Sequence, residues 1–292
     1  MSRRARLLNT WLRWIERPAL NRLTSFDVPR VRRRFEWQCR LLCPIPRGMA
    51  AHWTRRAGME VLELGPQHGT RLLYLHGGGY VFGSHRTHKG LAGRLALRMG
   101  VGAVVPHYPL APEAVFPAAP DAVFQLYREM AADGPVVLAG DSAGGGLALS
   151  LLAMICADPE VPQPLATLAL SPLTDLAMTG DSLRGNDATE AVLPPDGIAE
   201  AAKGYLDGAD PEDPRASPLY ARFPGAGPVY LWVGEGEVLL DDSRRMVAAL
   251  TDQGVEAHLT VEPGLPHVWP LFPGILLPEA EMTLDQMAAA IR

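Results

Sequence analysis

The sequence predicts an α/β fold, with a mostly parallel sheet flanked by helices. Three observations carry this expectation. From about residue 50, short apolar runs alternate with helical stretches. Such alternation implies right-handed crossovers and hence largely parallel strands. The segment 175–225 interrupts the pattern with many Pro and Gly and no strand signal, as an insertion on top of the sheet would. A chain of 292 residues with 48% hydrophobic content has enough apolar surface for one large domain with an elaborated lid.

Taken in order, Leu7, Leu8, Trp11, Leu12 and Ile15 repeat at helical spacing until Pro18. Val31, Phe35, Cys39 and Leu42 repeat the habit after Pro29, so two amphipathic helices open the chain. Strands are expected at MEVLEL (59–64), RLLYLHGG (71–78), GAVVPHY (102–108), PVVLAGD (135–141), LATLALS (165–171), PVYLWVG (228–234) and EAHLTVE (256–262). Helical patterns lie between most of them, at 88–99, 120–132 and 144–157. One helix is expected inside the insertion, at 196–206 behind Pro194-Pro195.

Charge and cysteine content narrow the function. The net charge of −5 leaves no footprint for nucleic acid on the chain as a whole. Residues 1–47 nevertheless hold twelve arginines against three acids, a net of +9, so the remainder carries −14. The simpler expectation is an Arg-rich helical segment whose charges are solvated; the sharper one is contact with an anionic surface, with Trp11 and Trp14 among the arginines. Cys39, Cys43 and Cys156 make no disulfide framework, and reduced thiols suit a cytoplasmic protein. The basic N-terminus is not followed by an apolar run of signal length, and no stretch approaches the ~18 apolar residues of a membrane span. No stable membrane insertion is expected.

The chemistry concentrates in three places. Gly140-Asp141-Ser142-Ala143-Gly144 reads as G-x-S-x-G between a strand and an apolar helix. That context suits a nucleophile held on a sharp turn with helix N–H groups beneath it. HGGGY (76–80) follows another strand, and its glycines free backbone N–H groups to face a developing oxyanion. Neither G-x-x-x-x-G-K-[ST] nor G-x-G-x-x-G occurs, which disfavours a phosphate loop. His267, in PGLPHVWPLF, follows the last expected strand and completes the order Ser, acid, His. His85 and His88 are three apart but have no acid spaced with them, so a metal role is the minor reading. The acid lies among Glu235, Glu237, Asp241 and Asp242 in VGEGEVLLDDS (233–243). Asp241 and Asp242 precede a helix expected near Ser243, where capping alone accounts for at least one of them.

HGGGY, YPLAPEAVFPAAPDA (108–122), GDSAGG (140–145), SPLTDLAMTGDS (171–182), EVLLDDS (237–243) and GLPH (264–267) together resemble one family. They are similar to the bacterial hormone-sensitive-lipase-like, or family IV, carboxylesterases of the α/β-hydrolase fold. The resemblance covers roughly 60–292. It implies an eight-stranded sheet, with 1–48 and 176–225 as a helical cap over a core of 49–175 and 226–292. It implies a serine esterase for short-chain carboxylic esters, using no cofactor and no metal. Ser142 matches the nucleophile, His267 the general base, and Gly78, Gly79 and Ala143 the oxyanion donors. On the family's D-P-L-x-D pattern Glu237 falls on the first Asp and Asp241 on the second, so the expected acid is Glu237, with Asp241 as the alternative. His76 and Asp141 are expected to be structural neighbours of the site. Trp11, Trp14, Phe35 and Trp37 are candidates for the pocket wall, though most of them are expected in the cap's packing core. Pro109 stands where the family usually has Arg, so the resemblance does not carry over a local ion pair there. Homodimers through an edge strand are a family habit. The alternatives are a receptor-like homologue that binds a small molecule, or a lipase, lactonase or amidase on the same scaffold.

Overall fold

The computed structural model describes residues 2–18, 20 and 27–291. Eight strands form one sheet: β1 (Ala51–Arg56), β2 (Met59–Leu64), β3 (Arg71–Leu75), β4 (Gly102–Pro106), β5 (Val136–Asp141), β6 (Thr167–Leu170), β7 (Val229–Gly234) and β8 (Ala257–Glu262). Their order is β1-β2-β4-β3-β5-β6-β7-β8. The pairs β1–β2 and β2–β4 are antiparallel and the rest parallel. All seven strands read from the sequence are present, and β1 is the eighth. It shows no apolar run because it is an edge strand whose side chains are mostly exposed. Ala57 and Gly58 close its hairpin to β2, both at positive φ as a two-residue turn requires.

Alternation along each strand divides the core in two. Leu73, Leu75, Val104, Leu138 and Leu231 face one side. Leu72, Tyr74, Val105, Val137, Leu168 and Trp232 face the other. Helices cover both faces, which is why the central strands are apolar throughout rather than alternating. The first face packs Val123, Leu126, Leu147, Leu151, Met246 and Leu250; the second packs Leu91, Leu95, Leu284 and Met287.

The two opening helices are α1 (Arg3–Trp11), which runs on as a π turn at Leu12–Glu16, and α2 (Val28–Leu42). Helix α1 starts earlier than its apolar pattern because Ser2 Oγ caps the Ala5 N–H at 3.1 Å. The expected helices follow as α3 (Lys89–Met99), α4 (Ala118–Asp133), α5 (Ala143–Ala157) and α7 (Pro195–Leu206). Two helices were not foreseen: α6 (Ser182–Gly185) in the insertion and α9 (Pro278–Ala289) at the end. Helix α8 (Leu240–Asp252) corrects one boundary: Asp241 and Asp242 lie in its first turn rather than before it.

The strand order reverses between β3 and β5, and at such a switch point the loops leaving the strand ends diverge and open a crevice. HGGG leaves β3 there and Ser142 leaves β5. Gly144, in the first turn of α5, sits against the carbonyls of Leu75 and His76, inside the distance a Cβ would need. Gly144→Ala is therefore expected to push α5 off the sheet at a cost of about 3 kcal/mol. Calorimetry should read this as a Tm lower by about 6–12 °C.

Candidate active site

Ser142 occupies the turn between β5 and α5 at φ 54°, ψ −125°, a conformation that strains a residue with a Cβ by about 1–3 kcal/mol. Three hydrogen bonds hold it there. Its N–H donates to Leu170 O at 2.8 Å, and its carbonyl accepts from Gly146 and Leu173 N–H, each at 3.0 Å. The residue is 9% exposed and opens onto a cavity of about 210 Å³.

Gly77, Gly78 and Gly79 line the same cavity after β3. Gly78 and Gly79 both lie at positive φ, and a Cβ on Gly78 would strike Phe82 O. The Gly78 carbonyl accepts from Val81 and Phe82 N–H, each at 3.0 Å, which folds the loop back on itself. The N–H groups of Gly78, Gly79 and Ala143 donate to no acceptor among the described residues. Beneath the loop, His76 is fully buried and stacks on Tyr108 at 4.2 Å, and Tyr108 Oη donates to His76 O at 2.6 Å. Asp141 is buried beside the serine and accepts from Tyr74 Oη at 2.8 Å.

His267 is buried in the loop after β8 and lines the cavity. Its Nδ1 lies 2.7 Å from Glu237 Oε2. With an acceptor at Nδ1, the neutral ring carries its proton there and presents a lone pair at Nε2. Burial pulls the His267 pKa down. The negative charge and hydrogen bond of Glu237 outweigh it, with smaller help from Glu190 and Asp141, and leave the pKa above its ordinary 6.5. Glu237 Oε1 in turn accepts from Ser171 Oγ at 2.8 Å and from the Gly234 N–H.

The α/β-hydrolase fold family matches over residues 72–271. An acetyl-hydrolase of Streptomyces hygroscopicus is 36% identical over 246 residues, covering 83% of this chain and 79% of its own length. An esterase of Acinetobacter venetianus is 35% identical over 241 residues, covering 80% and 79%. A crystal structure of an esterase from the bacterial hormone-sensitive lipase family superposes with TM-score 0.90 at 31% identity, covering 100% of this chain and 98% of the other. The chain belongs to the α/β-hydrolase fold family.

In this α/β hydrolase Ser142, His267 and Glu237 follow β5, β8 and β7, on the same edge of the sheet. Asp241 is not brought to the histidine: it accepts from the Ser182 N–H at 2.8 Å and ties α8 to α6. Asp242 is also turned away, accepting from Thr174 and Asp175 N–H at 2.7 and 3.0 Å; burial pushes its carboxyl up to about 7. The aromatic candidates divide differently from expectation. Trp11 and Phe35 line the cavity, Phe35 also packing edge-on against Phe82 at 5.4 Å, whereas Trp14 and Trp37 are 73% and 65% exposed. The wall is otherwise largely apolar; Glu16, Arg34 and Gln38 form its polar part in the first segment, the Glu16 carboxylate accepting from Arg34 at 2.8 Å and Gln38 at 3.2 Å, and His88 and Asp141 line it beside the serine. Cys39 and Cys43 are buried free thiols on the same wall.

Of the two histidines weighed as metal ligands, His88 is engaged on both nitrogens, whereas neither ring nitrogen of His85 has a hydrogen-bond partner among the described residues. His88 Nε2 meets Asp141 Oδ2 at 3.2 Å, and His88 Nδ1 meets Thr87 Oγ1 at 2.8 Å. Among the described residues no group of three His, Cys, Asp or Glu side chains could hold a metal ion. Among the same residues, no helix is long and apolar enough to cross a membrane. Pro109 leaves its stretch without an arginine, and Arg32 of α2 supplies one, bonding Ala111 O and Glu113.

Two residues at the site escaped the sequence reading. Ser171 donates to Glu237 and accepts from the Val268 N–H at 3.2 Å, so one hydroxyl joins the acid to the loop of His267. Its position at the end of a strand, in SPLTD, is the one signal that could have found it. Glu190 is 1% exposed and lies in the insertion, with no local pattern around it. Ser171→Ala leaves the Glu237 carboxylate short of a donor and is expected to cost about 1–3 kcal/mol. Thermal unfolding should show a Tm lower by about 2–12 °C.

Proposed function

We propose that this chain is a serine esterase acting on short-chain carboxylic esters, with Ser142 as nucleophile, His267 as general base and Glu237 as orienting acid. One observation carries the reading: an imidazole held by a buried carboxylate faces the same cavity as a serine on a strained strand-to-helix turn. Ser142 Oγ attacks the ester carbonyl carbon while His267 Nε2 takes the hydroxyl proton. The tetrahedral oxyanion accepts hydrogen bonds from the N–H groups of Gly78, Gly79 and Ala143. As the intermediate collapses, the carbon–oxygen bond to the alcohol breaks and His267 returns the proton to it. Water then repeats the sequence on the acyl-enzyme, releasing the acid and restoring Ser142. The cycle balances with water alone, so it needs no cofactor.

Residues 1–48 and 176–225 act in this reading as the cap that walls the cavity. Trp11, Val31, Phe35 and Leu42 from the first segment, and Val192, Leu193 and Ile198 from the second, support it. A cavity of about 210 Å³ is below the range of about 300–1,000 Å³ typical of sites for drug-sized ligands, which favours small esters.

Ser142→Ala should abolish hydrolysis of p-nitrophenyl acetate and butyrate in a spectrophotometric assay. Glu237→Ala is expected to lose about 10²–10⁴-fold in kcat, while Asp241→Ala should mainly lower stability. Interchanged behaviour of those two variants would overturn the acid assignment, and tight ligand binding without any turnover would favour the receptor reading. The base works only when neutral, so protonation switches it off as pH falls. Because the His267 pKa is raised, the acidic inflection of kcat/KM should lie above 6.5 and move down in Glu237→Gln.

A further inference from the structure

The insertion places a second carboxylate behind the first. Glu190 is 1% exposed, and its two oxygens accept three backbone N–H groups. Oε1 takes those of Val192 at 2.7 Å and Leu193 at 3.2 Å; Oε2 takes that of Val238 at 3.0 Å. Val192 and Leu193 line the cavity, and Val238 directly follows Glu237. One side chain thus ties the cavity wall to the loop that carries the acid.

The turn leading to Glu190 grips the same loop. Asn186 Nδ2 donates to Glu237 O at 2.8 Å and to Glu235 O at 3.2 Å, and Thr189 Oγ1 donates to Gly236 O at 3.0 Å. On its outer side, the turn is held by the N-terminal segment. The Arg17 guanidinium donates to Asp187 O at 2.9 Å and Glu190 O at 3.2 Å, and Arg13 donates to Thr189 O.

We propose that Glu190 is a positioning residue for the Glu237–His267 pair, seating the acid loop and the cavity wall as one unit and setting a second negative charge near the imidazole. This rests on the esterase reading above. A staple made only for stability would not need a charge, since a neutral acceptor could take the same N–H groups. Burial raises the Glu190 pKa and the charge of Glu237 raises it further, while His267 and the N–H donors lower it, which marks the three groups as electrostatically linked. The charged groups acting on His267 are Glu237, Glu190 and Asp141.

The test compares wild type, Glu190→Gln and Glu190→Asp, with Ser142→Ala as the inactive control. Each is assayed on p-nitrophenyl butyrate across pH, and each has the His267 imidazole titrated by NMR. Glu190→Gln should lose at least tenfold in kcat, and both its acidic inflection and its imidazole titration should move to lower pH. Glu190→Asp keeps the charge but shortens the reach, so kcat should fall while the inflection stays near that of wild type. A folded Glu190→Gln with wild-type inflection and titration overturns the proposal. If Glu190→Gln does not fold, Glu190→Asp decides: wild-type kcat overturns the proposal, and a fivefold or greater loss with an unmoved inflection supports it. Failure of the esterase reading itself would appear separately, as wild-type protein without turnover, and the imidazole titration would still report on Glu190.

Discussion

A carboxylate taken out of water must be met by donors, and the Glu237 carboxylate sets the terms for the rest of this site. Desolvating such a charge costs several kcal/mol unless its lone pairs are filled. Three donors fill them: Ser171 Oγ after β6, the Gly234 N–H at the end of β7, and the ring of His267 after β8. These strands are consecutive neighbours in the sheet. Parallel order therefore becomes convergence, because strands running the same way deliver their following loops to one edge. Serine and glycine loop arrive from the neighbouring strands β5 and β3 by the same rule.

What could be read from the residues follows from where each signal resides. The central strands were legible because covering both faces forces them to be apolar, a property each segment carries by itself. Strand β1 was not, since Trp53 and its neighbours lie at an exposed edge, where pairing to β2 asks for no apolar run. Ser142 and the glycine loop could be read because strained turns and close approaches demand particular residues at particular positions. Glu237 needed the family pattern to stand apart from three neighbouring acids. The strand end in SPLTD was the one pointer to Ser171 and nothing pointed to Glu190, because the contacts that tie them to the acid loop span 66 and 48 residues of sequence and no local spacing encodes those.

The Arg-rich beginning shows how a charge count can mislead in either direction. Neither solvation nor an anionic partner describes all of it. Arg4, Arg13 and Arg17 donate to backbone carbonyls of distant segments, Arg32 reaches Val81 O and Ala111 O, and Arg34 pairs with Glu16. Arg3, Arg6, Arg30, Arg33, Arg40 and Arg47 stay exposed. Guanidinium groups suit the first task because each planar fork can satisfy several carbonyls at once. Those arginines act as fasteners, holding two amphipathic helices against loops that would otherwise have carbonyls left over.

That fastening has a consequence for how the molecule is made. Arg17 meets Asp187, a residue 170 positions further along the chain. At about 5–20 residues per second, the ribosome delivers that partner roughly 9–35 s after the arginine. In that interval α2 already has Phe82 and Val81 to join, whereas the part of the wall that Val192 and Leu193 supply is still missing. A growing chain of this design cannot fasten Arg13 and Arg17 until the insertion has emerged. The end of α1 is thus fastened later than the sheet strands that precede the insertion, and the wall it shares with Val192 and Leu193 is completed only then.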